Sequence, residues 1–377
     1  MIKTERYRII SRKTALAAMV VTTLTLIYFS LGNTLWGEGV IDGGKIYHGE
    51  AAVARDKEIT AAFTGLLTEG TVRAIWEKYG PPVNYNNRST TLEGMTAAAA
   101  NGGNDNYCNR FVAKWFCDEV QGEDGETVFV LREDLAGSRY LQGNYWFGYA
   151  GSGGSGYWDR FLIAYILACV TIAIALCPTF SEDYAFHTAD IILATEKGRI
   201  RIWWIRILTG AGYASLFYWL LCGIVFLEHL IVYGGESLKV SSSLAGSALY
   251  FEKDFMPLGR AILLLYLLGW FSTVTLSILV LAVSAGSRKT FSSLILSLLV
   301  YAGPFALMRV VLDMLPMGRV NVFLHYICYA MPFSFPGVFL DAPPEAKGLL
   351  AGIALTAAVL GLGLGGMRYC RHQVSRN

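Results

Sequence analysis

Residues 261–287 read AILLLYLLGWFSTVTLSILVLAVSAGS and contain no aspartate, glutamate, lysine or arginine. A membrane-spanning helix needs roughly 20 consecutive apolar residues, so this stretch is long enough to cross a bilayer. The chain is 54% hydrophobic and 16% charged, whereas soluble domains carry about 25% charged residues. Five more stretches lack the four charged residue types: 14–37, 161–181, 207–227, 290–308 and 348–367. The sequence therefore predicts an all-α polytopic membrane protein with six transmembrane helices.

The first apolar stretch follows five basic residues, which is also the pattern of a secretory signal. Its apolar run extends to Trp36, which is longer than a signal core, and no cleavage site of small residues follows closely. We therefore interpret it as a retained helix. Residues 1–36 then comprise a cytoplasmic N-terminus and the first transmembrane helix.

Lysine and arginine in short loops set the orientation of a polytopic protein. With the N-terminus inside, the inside segments carry 14 of these residues, and the short outside loops 228–260 and 309–347 carry 6. Both termini are therefore expected on the cytoplasmic side of the membrane. Residues 158–377 would hold the second to sixth helices. Within them, Pro332 and Pro336 interrupt residues 314–340, which favours an outer re-entrant helix pair over a seventh span.

A hydrophilic insert of residues 37–157 separates the first two helices. It carries a net charge of −6 and is large enough for a core of its own. We expect an α+β extracellular domain. Its predicted elements are helices at 50–63 and 68–79, a strand at 126–131, a loop at 84–106 and a flexible connector at 149–157.

Two cysteines of the insert, Cys108 and Cys117, allow two alternatives. A disulfide is possible outside the cell. A helix through Phe111 and Trp115 would instead place the two cysteines on opposite faces about 13 Å apart, beyond the reach of a disulfide. The helix is slightly favoured. The other five cysteines show no metal-ligand spacing.

Residues 180–199, FSEDYAFHTADIILATEKGR, lie between the second and third apolar stretches and resemble an amphipathic helix. Ala185, Ala189, Ile192 and Leu193 fall three to four residues apart and form one apolar stripe. Ser181 can cap the helix, and acidic residues follow it where the helix dipole favours them. Such a helix is either an interfacial anchor or a contact for a partner outside the bilayer.

Motifs for catalysis are missing from the sequence. There is no P-loop, no zinc-protease motif and no nucleophile elbow. The five histidines fall in five different segments, and no basic patch with aromatic residues indicates nucleic acid. No catalytic or metal site is predicted, and the chain is not expected to be an enzyme. Glu228, His229, Arg309 and Asp313 lie at predicted helix ends, where headgroups and water would reach them.

Six helices with cytoplasmic termini and an amphipathic helix after the second resemble the ABC-2 type permease family. Glu182 matches a glutamate that follows the second helix in that family, residues 188–195 match its short helix, and residues 197–199 match its turn. The large insert is similar to those of permeases from Gram-positive bacteria, as is its segment GLLTEGTVRAIWEKYG at 65–80. The region 314–336 is similar to the family's re-entrant helix pair.

The resemblance implies an exporter subunit that holds no cofactor itself. P-loop ATPase subunits in a partner chain would bind ATP and Mg, and a second permease, identical or homologous, would complete the path for an amphipathic substrate such as an antimicrobial peptide, lipid or drug. The alternative is a membrane receptor or sensor that binds its ligand through the extracellular domain. The resemblance assigns ATPase coupling to Glu182, Asp183, Thr188, Asp190, Glu196 and Arg199.

Overall fold

The computed structural model describes residues 2–36, 38–84, 92–100, 102–121, 127–151, 157–186, 188, 196–244, 256–316 and 318–371. It is mostly helical, at 74% of residues. Within these ranges, six helical segments are long and apolar enough to cross a membrane, as expected of a multi-pass membrane protein. They coincide with the six charge-free stretches: Lys13–Gly32, Tyr157–Ala185, Arg199–Tyr233, Leu258–Gly286, Thr290–Met314 and Pro344–Arg371.

The helices are numbered here in chain order. They are α1 (Ile2–Ile10), α2 (Lys13–Trp36), α3 (Glu50–Ala61), α4 (Glu69–Tyr79), α5 (Leu92–Ala99), α6 (Tyr107–Phe116), α7 (Tyr157–Leu176), α8 (Pro178–Ala185), α9 (Glu196–Tyr233), α10 (Leu258–Gly286), α11 (Thr290–Val310), α12 (Arg319–Tyr329), α13 (Phe335–Asp341) and α14 (Pro344–Arg371). The strands are β1 (Gly39–Asp42), β2 (Lys45–His48), β3 (Gly65–Leu66), β4 (Cys117–Gln121), β5 (Thr127–Leu131) and β6 (Trp146–Phe147).

The chain divides into two compact units. Unit 1 contains residues 1–26, 162–223 and 264–377, and unit 2 contains residues 27–161 and 224–263.

Close helix packing in unit 1 depends on two glycines of α14 that lie four residues apart. A Cβ at Gly365 would lie 2.6 Å from the Trp203 ring and 2.8 Å from Ala282, and one at Gly361 would lie 3.0 Å from Leu279. Glycine at both positions therefore lets the α14 backbone approach α10, as small residues do at helix interfaces in membranes.

Residues 314–340 form two short helices, α12 of 11 residues and α13 of 7 residues. Neither is long enough to cross a bilayer. Phe335 of α13 packs with Leu350 and Ala354 of α14 in a buried apolar cluster. The stretch is therefore a pair of helices packed on the sixth span and not a continuous seventh span.

Unit 2 combines helices with small antiparallel sheets. The strands pair as β1 with β2, β3 with β6, and β4 with β5. The two predicted helices of the insert are observed as α3 and α4, and the N-cap of α4 is Thr68, whose side chain accepts a hydrogen bond from the Thr71 amide. The predicted strand is β5; Glu126, expected at its start, lies outside the described residues. Most of the predicted connector at 149–157 also lies outside them.

The loop predicted at 84–106 is partly wrong, because α5 occupies Leu92–Ala99. Met95 of α5 is buried, and its sulfur packs where a Cβ at Gly39 would stand. The alanines of this segment favour helix. The prediction gave more weight to the asparagine and glycine residues that flank it.

The two cysteines of the insert are free thiols in the structure. Helix α6 contains Cys108, and Cys117 follows its last residue as the first residue of β4. The helical alternative is the observed one, and a capping box between Asn106 and Asn109 begins it. Burial raises the pKa of each thiol to about 12.

Candidate coupling site

The helix of the second candidate span is interrupted at one residue, Cys177, between α7 and α8. Pro178 is the first residue of α8, where a missing N–H costs nothing and the fixed φ suits a helix. The break leaves main-chain groups of Cys177, Phe180 and Ser181 that need partners outside a continuous helix. In the interior of a membrane protein such groups must be satisfied by neighbouring helices.

Ser284 of α10 supplies most of these partners. Its hydroxyl oxygen accepts hydrogen bonds from the amides of Phe180 (3.0 Å) and Ser181 (3.2 Å), and the hydroxyl donates to the carbonyl of Cys177 (2.7 Å). Ser293 of α11 donates to the same carbonyl at 2.9 Å. The start of α8 is therefore fixed to α10 and α11 by hydrogen bonds.

Asp183 lies at the centre of an ion-pair network in unit 1. Its side chain is buried and binds two guanidinium groups, Arg8 Nη2 at 2.7 Å from Oδ1 and Arg206 Nη1 on Oδ2. Arg8 also donates to the carbonyl of Thr179 at 3.2 Å. Asp183 thereby links α8 to α1 and α9.

Arg206 is the buried cation of this network. Besides Asp183, its guanidinium faces Glu5 of α1 at 3.5 Å and stacks over the Phe180 ring, with its central carbon 4.8 Å from the ring centre. Phe180 in turn packs against Trp203 and Tyr369. Arg206 therefore has charged partners on two helices and an aromatic face beside it.

Glu182, one position before Asp183, also lies near Arg8, with Oε2 3.8 Å from Arg8 Nη2, but binds a further arginine more closely. Its Oε2 lies 2.6 Å from Arg12 Nη2, and Arg12 also donates to the carbonyl of Ala175 at 3.2 Å. Burial lowers the pKa of Arg12, against the opposing effect of Glu182. We call the set Glu5, Arg8, Arg12, Glu182, Asp183 and Arg206 the hub; its three cations and three anions balance.

The structure brings together only some of the residues predicted for ATPase coupling. Thr188 donates from its hydroxyl to the Asp183 carbonyl at 3.3 Å, whereas Arg199 donates to the carbonyl of Cys370 at 3.2 Å. Glu196 is the first residue of α9, and its side chain lies outside the described part. Asp190 and three residues of the apolar stripe, Ala189, Ile192 and Leu193, also lie outside the described residues.

Sequence reasoning missed all three arginines of the hub as partners of Glu182 and Asp183. In the sequence Arg8 and Arg12 act only as signals for orientation, because they precede their carboxylates by 175 and 170 positions. Arg206 is 23 positions from Asp183. A charge at the edge of an apolar stretch was the one available signal, because such a charge needs a partner when the helices pack.

A second polar cluster is buried in unit 2. Arg160 of α7 lies 3.5 Å from Glu228 of α9 and stacks over the ring of Tyr233, and His229 beside them is fully buried. The expectation that water and headgroups reach Glu228 and His229 is therefore wrong. Helix α9 continues to Tyr233, and packing within unit 2 encloses them.

Arg309 and Asp313 pair as expected, with Nη1 and Oδ2 at 3.4 Å. His325 of α12 joins them, with Nε2 at 3.0 Å from Asp313 Oδ1. This hydrogen bond raises the pKa of His325. Both side chains of the Arg309–Asp313 pair are solvent-accessible, so the pair is a surface feature of unit 1.

No group of three or more metal-ligating side chains exists among the described residues. No known family's model matches this chain, and no curated protein or solved structure is significantly similar to it. The function of the hub is therefore inferred from its own geometry and from the sequence pattern.

Proposed function

We propose that this chain is the membrane-spanning permease subunit of an ATP-driven exporter of the ABC-2 type. The observation that carries the proposal is the hub. It ties the segment after the second span to α1 and α9 through Asp183, Glu182 and three arginines. A force applied to that segment would therefore reach three helices together.

The orientation follows from the distribution of basic residues. Both termini and the hub face the cytoplasm of a bacterial cell, and the insert between α2 and α7 faces outward. Helices α12 and α13 form the outer re-entrant pair, in keeping with their lengths and with the burial of Phe335.

The hub also refines which residues would contact an ATPase. Glu182 and Asp183 are occupied by arginines of the same chain, so their role is to transmit movement. Contact falls instead to Phe186 and Thr188, which directly follow α8. Phe186 is 74% exposed, and a large aromatic side chain of this kind is a common energetic centre of an interface.

In this mechanism ATP, with Mg, binds to the partner ATPase subunits, and their closure pushes on residues 186–195. The hub passes the movement to α1 and α9, and a second permease, identical or homologous, completes the path. Coupling requires that nucleotide and cargo favour different states of the pair. The cargo class is an amphipathic molecule such as a peptide, a lipid or a drug.

The test is purification from native membranes followed by identification of bound P-loop ATPase. Phe186→Ala should reduce the recovered ATPase on the order of 10-fold or more, because it removes a central contact. The matched control is Phe323→Ala, since Phe323 is 54% exposed on α12, which the proposed orientation places on the outer side of the membrane. Glu182→Ala should keep the ATPase bound but uncouple its hydrolysis from transport.

The proposal fails if wild-type protein brings down no ATPase of this type. It also fails if Glu182→Ala transports normally. Ligand binding by the full-length protein through its insert, with no ATPase partner, would instead establish the membrane receptor or sensor.

A further inference from the structure

A groove in unit 1 runs between α9 and the first two helices. Its volume is about 380 Å³, which is in the range of sites that hold small molecules. Aliphatic side chains of α1, α2 and α9 form most of its wall, including Ile9, Met19, Leu208 and Leu216. Such a wall suits a hydrocarbon chain.

Arg6 is the cation of this groove. Arg8, Arg12 and Arg206 of the hub each bind a carboxylate, whereas Arg6 makes no ion pair with any residue of the described part. It is an exposed side chain on α1. Within the described residues, the groove therefore has a positive charge that no carboxylate pairs with.

Tyr213 is a second polar group in the wall. It is only 7% exposed, yet its hydroxyl has no hydrogen-bond partner among the residues that the structure describes. The hydroxyl of the neighbouring Thr209, in contrast, donates to the carbonyl of Ile205 at 2.6 Å. A buried hydroxyl without a partner is costly, so an acceptor on a ligand would satisfy it.

Gly212 keeps the groove open at its α9 wall. A Cβ built at this glycine would meet no atom within 4 Å. Glycine is unfavourable inside a helix relative to other residues. A side chain introduced at Gly212 therefore has free space at its Cβ position.

We propose that the groove binds one anionic phospholipid. An acyl chain lies along the apolar wall, the phosphate binds Arg6, and an ester carbonyl accepts a hydrogen bond from Tyr213. Helix α1 also exposes Ile2, Tyr7 and Ile10 beside Lys3 and Arg6, the composition of a helix that lies at the headgroup level. Basic pockets between membrane helices are suited to anionic headgroups. The inference does not depend on the proposed transport function.

The experiment uses the full chain purified in a neutral detergent. Dioleoyl phosphatidylglycerol should raise the melting temperature by roughly 3 °C or more at concentrations well above its dissociation constant. Dioleoyl phosphatidylcholine, which has the same chains without net charge, should give a clearly smaller shift. Glycerol phosphate, the charged group without chains, should give none. Native mass spectrometry should retain one phosphatidylglycerol per chain.

The decisive variant is Gly212→Leu, with Gly223→Leu as its matched control. Both glycines lie in α9 and have open space at the Cβ position, but only Gly212 lines the groove. Both changes improve helix propensity equally. Gly212→Leu should abolish the phosphatidylglycerol shift, and Gly223→Leu should preserve it.

The polar contacts are tested separately. Arg6→Gln should remove the preference for phosphatidylglycerol over phosphatidylcholine, whereas Lys3→Gln, on the same helix but outside the groove wall, should keep it. Tyr213→Phe should weaken binding several-fold while the protein remains folded.

The inference is overturned if the two lipids stabilise the wild type equally or if Gly212→Leu retains the full shift. A shift produced by glycerol phosphate alone would identify a site for a free phosphate and not for a lipid. Saturation of the groove by an uncharged amphipathic drug, with no effect of phosphatidylglycerol, would make it a cargo site and would equally overturn the inference.

Discussion

Two arginines are buried to almost the same extent, in different units, with different partners. The Arg206 side chain is 1% exposed and meets two carboxylates, those of Asp183 and Glu5. The Arg160 side chain is 2% exposed, and its charged contact is Glu228 at 3.5 Å. None of its guanidinium nitrogens makes a hydrogen bond within the described residues. The two guanidinium groups are therefore equally buried, but their positive charges are not equally well paired with carboxylates.

The difference shows what each cluster is suited to do. Removing a guanidinium from water is expensive, and close, hydrogen-bonded carboxylates offset that cost. The hub meets this condition and so holds its three helices in one arrangement. In the Arg160 cluster, the guanidinium N–H groups have no hydrogen-bond acceptor among the described residues. Ordered water is the usual partner of such buried groups.

Asp183→Asn should cause the largest loss in the free energy of unfolding. The change leaves Arg206 and Arg8 with too little negative charge, and breaking a buried pair from one side costs about 3–5 kcal/mol. This cost is measured as the difference in the free energy of unfolding between variant and wild type in mixed micelles. The control is Asp118→Asn in unit 2, whose ion pair with Arg132 is exposed. A loss below about 1 kcal/mol would mean that the hub is not a stabilising network.

Asp56 of α3 is a buried acid in unit 2, as Asp183 is in unit 1, and it makes the stability of the protein depend on pH. Burial raises its pKa to about 7, although it accepts a hydrogen bond from the Tyr107 amide. The folded state therefore holds this proton more tightly than the unfolded chain, and the stabilisation present at low pH is lost as pH rises through 7. Between pH 5 and pH 8 the loss is about 2–3 kcal/mol.

Asp56→Asn should flatten this pH dependence in thermal or denaturant unfolding. Asp118→Asn should leave it unchanged, because Asp118 is exposed. A wild-type stability that rises between pH 5 and pH 8 by a similar amount would contradict the sign of the shift in Asp56.

Substitution by methionine compares the two arginines directly. Arg206→Met leaves Asp183 and Glu5 short of a cation, so a cost of about 3 kcal/mol or more is expected. Arg160→Met also removes donors that have no acceptor among the described residues, so its net cost should be smaller, about 1–2 kcal/mol. Unfolding in the same micelles gives both numbers. Equal costs would show that Arg160 is as well compensated as Arg206.

The smallest effect is expected at a surface pair. Arg73 and Glu69 bind at 2.7 Å on α4, four residues apart, and both side chains are exposed. Glu69→Gln should lower the free energy of unfolding by about 0.3–0.5 kcal/mol. Most of this difference should disappear at high salt, because salt screens an exposed ion pair. A loss of unfolding free energy above about 1 kcal/mol that does not depend on salt would mean that this pair stabilises the fold as the buried ion pairs of the hub do.

Sequence alone was sufficient for the features that depend on local composition. The charge-free stretches predicted the six candidate spans, and the apolar spacing of the insert predicted α3 and α4. These features can be predicted because the length of an apolar stretch and the spacing of its apolar residues are properties of a single segment.

Features that depend on contacts between distant segments were not predictable in the same way. The partners of Glu182 and Asp183 come from the N-terminus, and nothing near residue 182 identifies them. The break at Cys177 was missed because the charge-free stretch runs through it without interruption. The burial of Glu228 and His229 likewise follows from packing, whereas their position in the sequence suggested a helix end.

The hydroxyl of Ser284 belongs to one helix but completes the main chain of another. The junction between α7 and α8 is thus completed by a side chain of α10, and not by the second span alone. Through this one serine, the segment that carries Glu182 and Asp183 is attached at its start to α10. Alanine at position 284 would remove these three hydrogen bonds while leaving every charge in place.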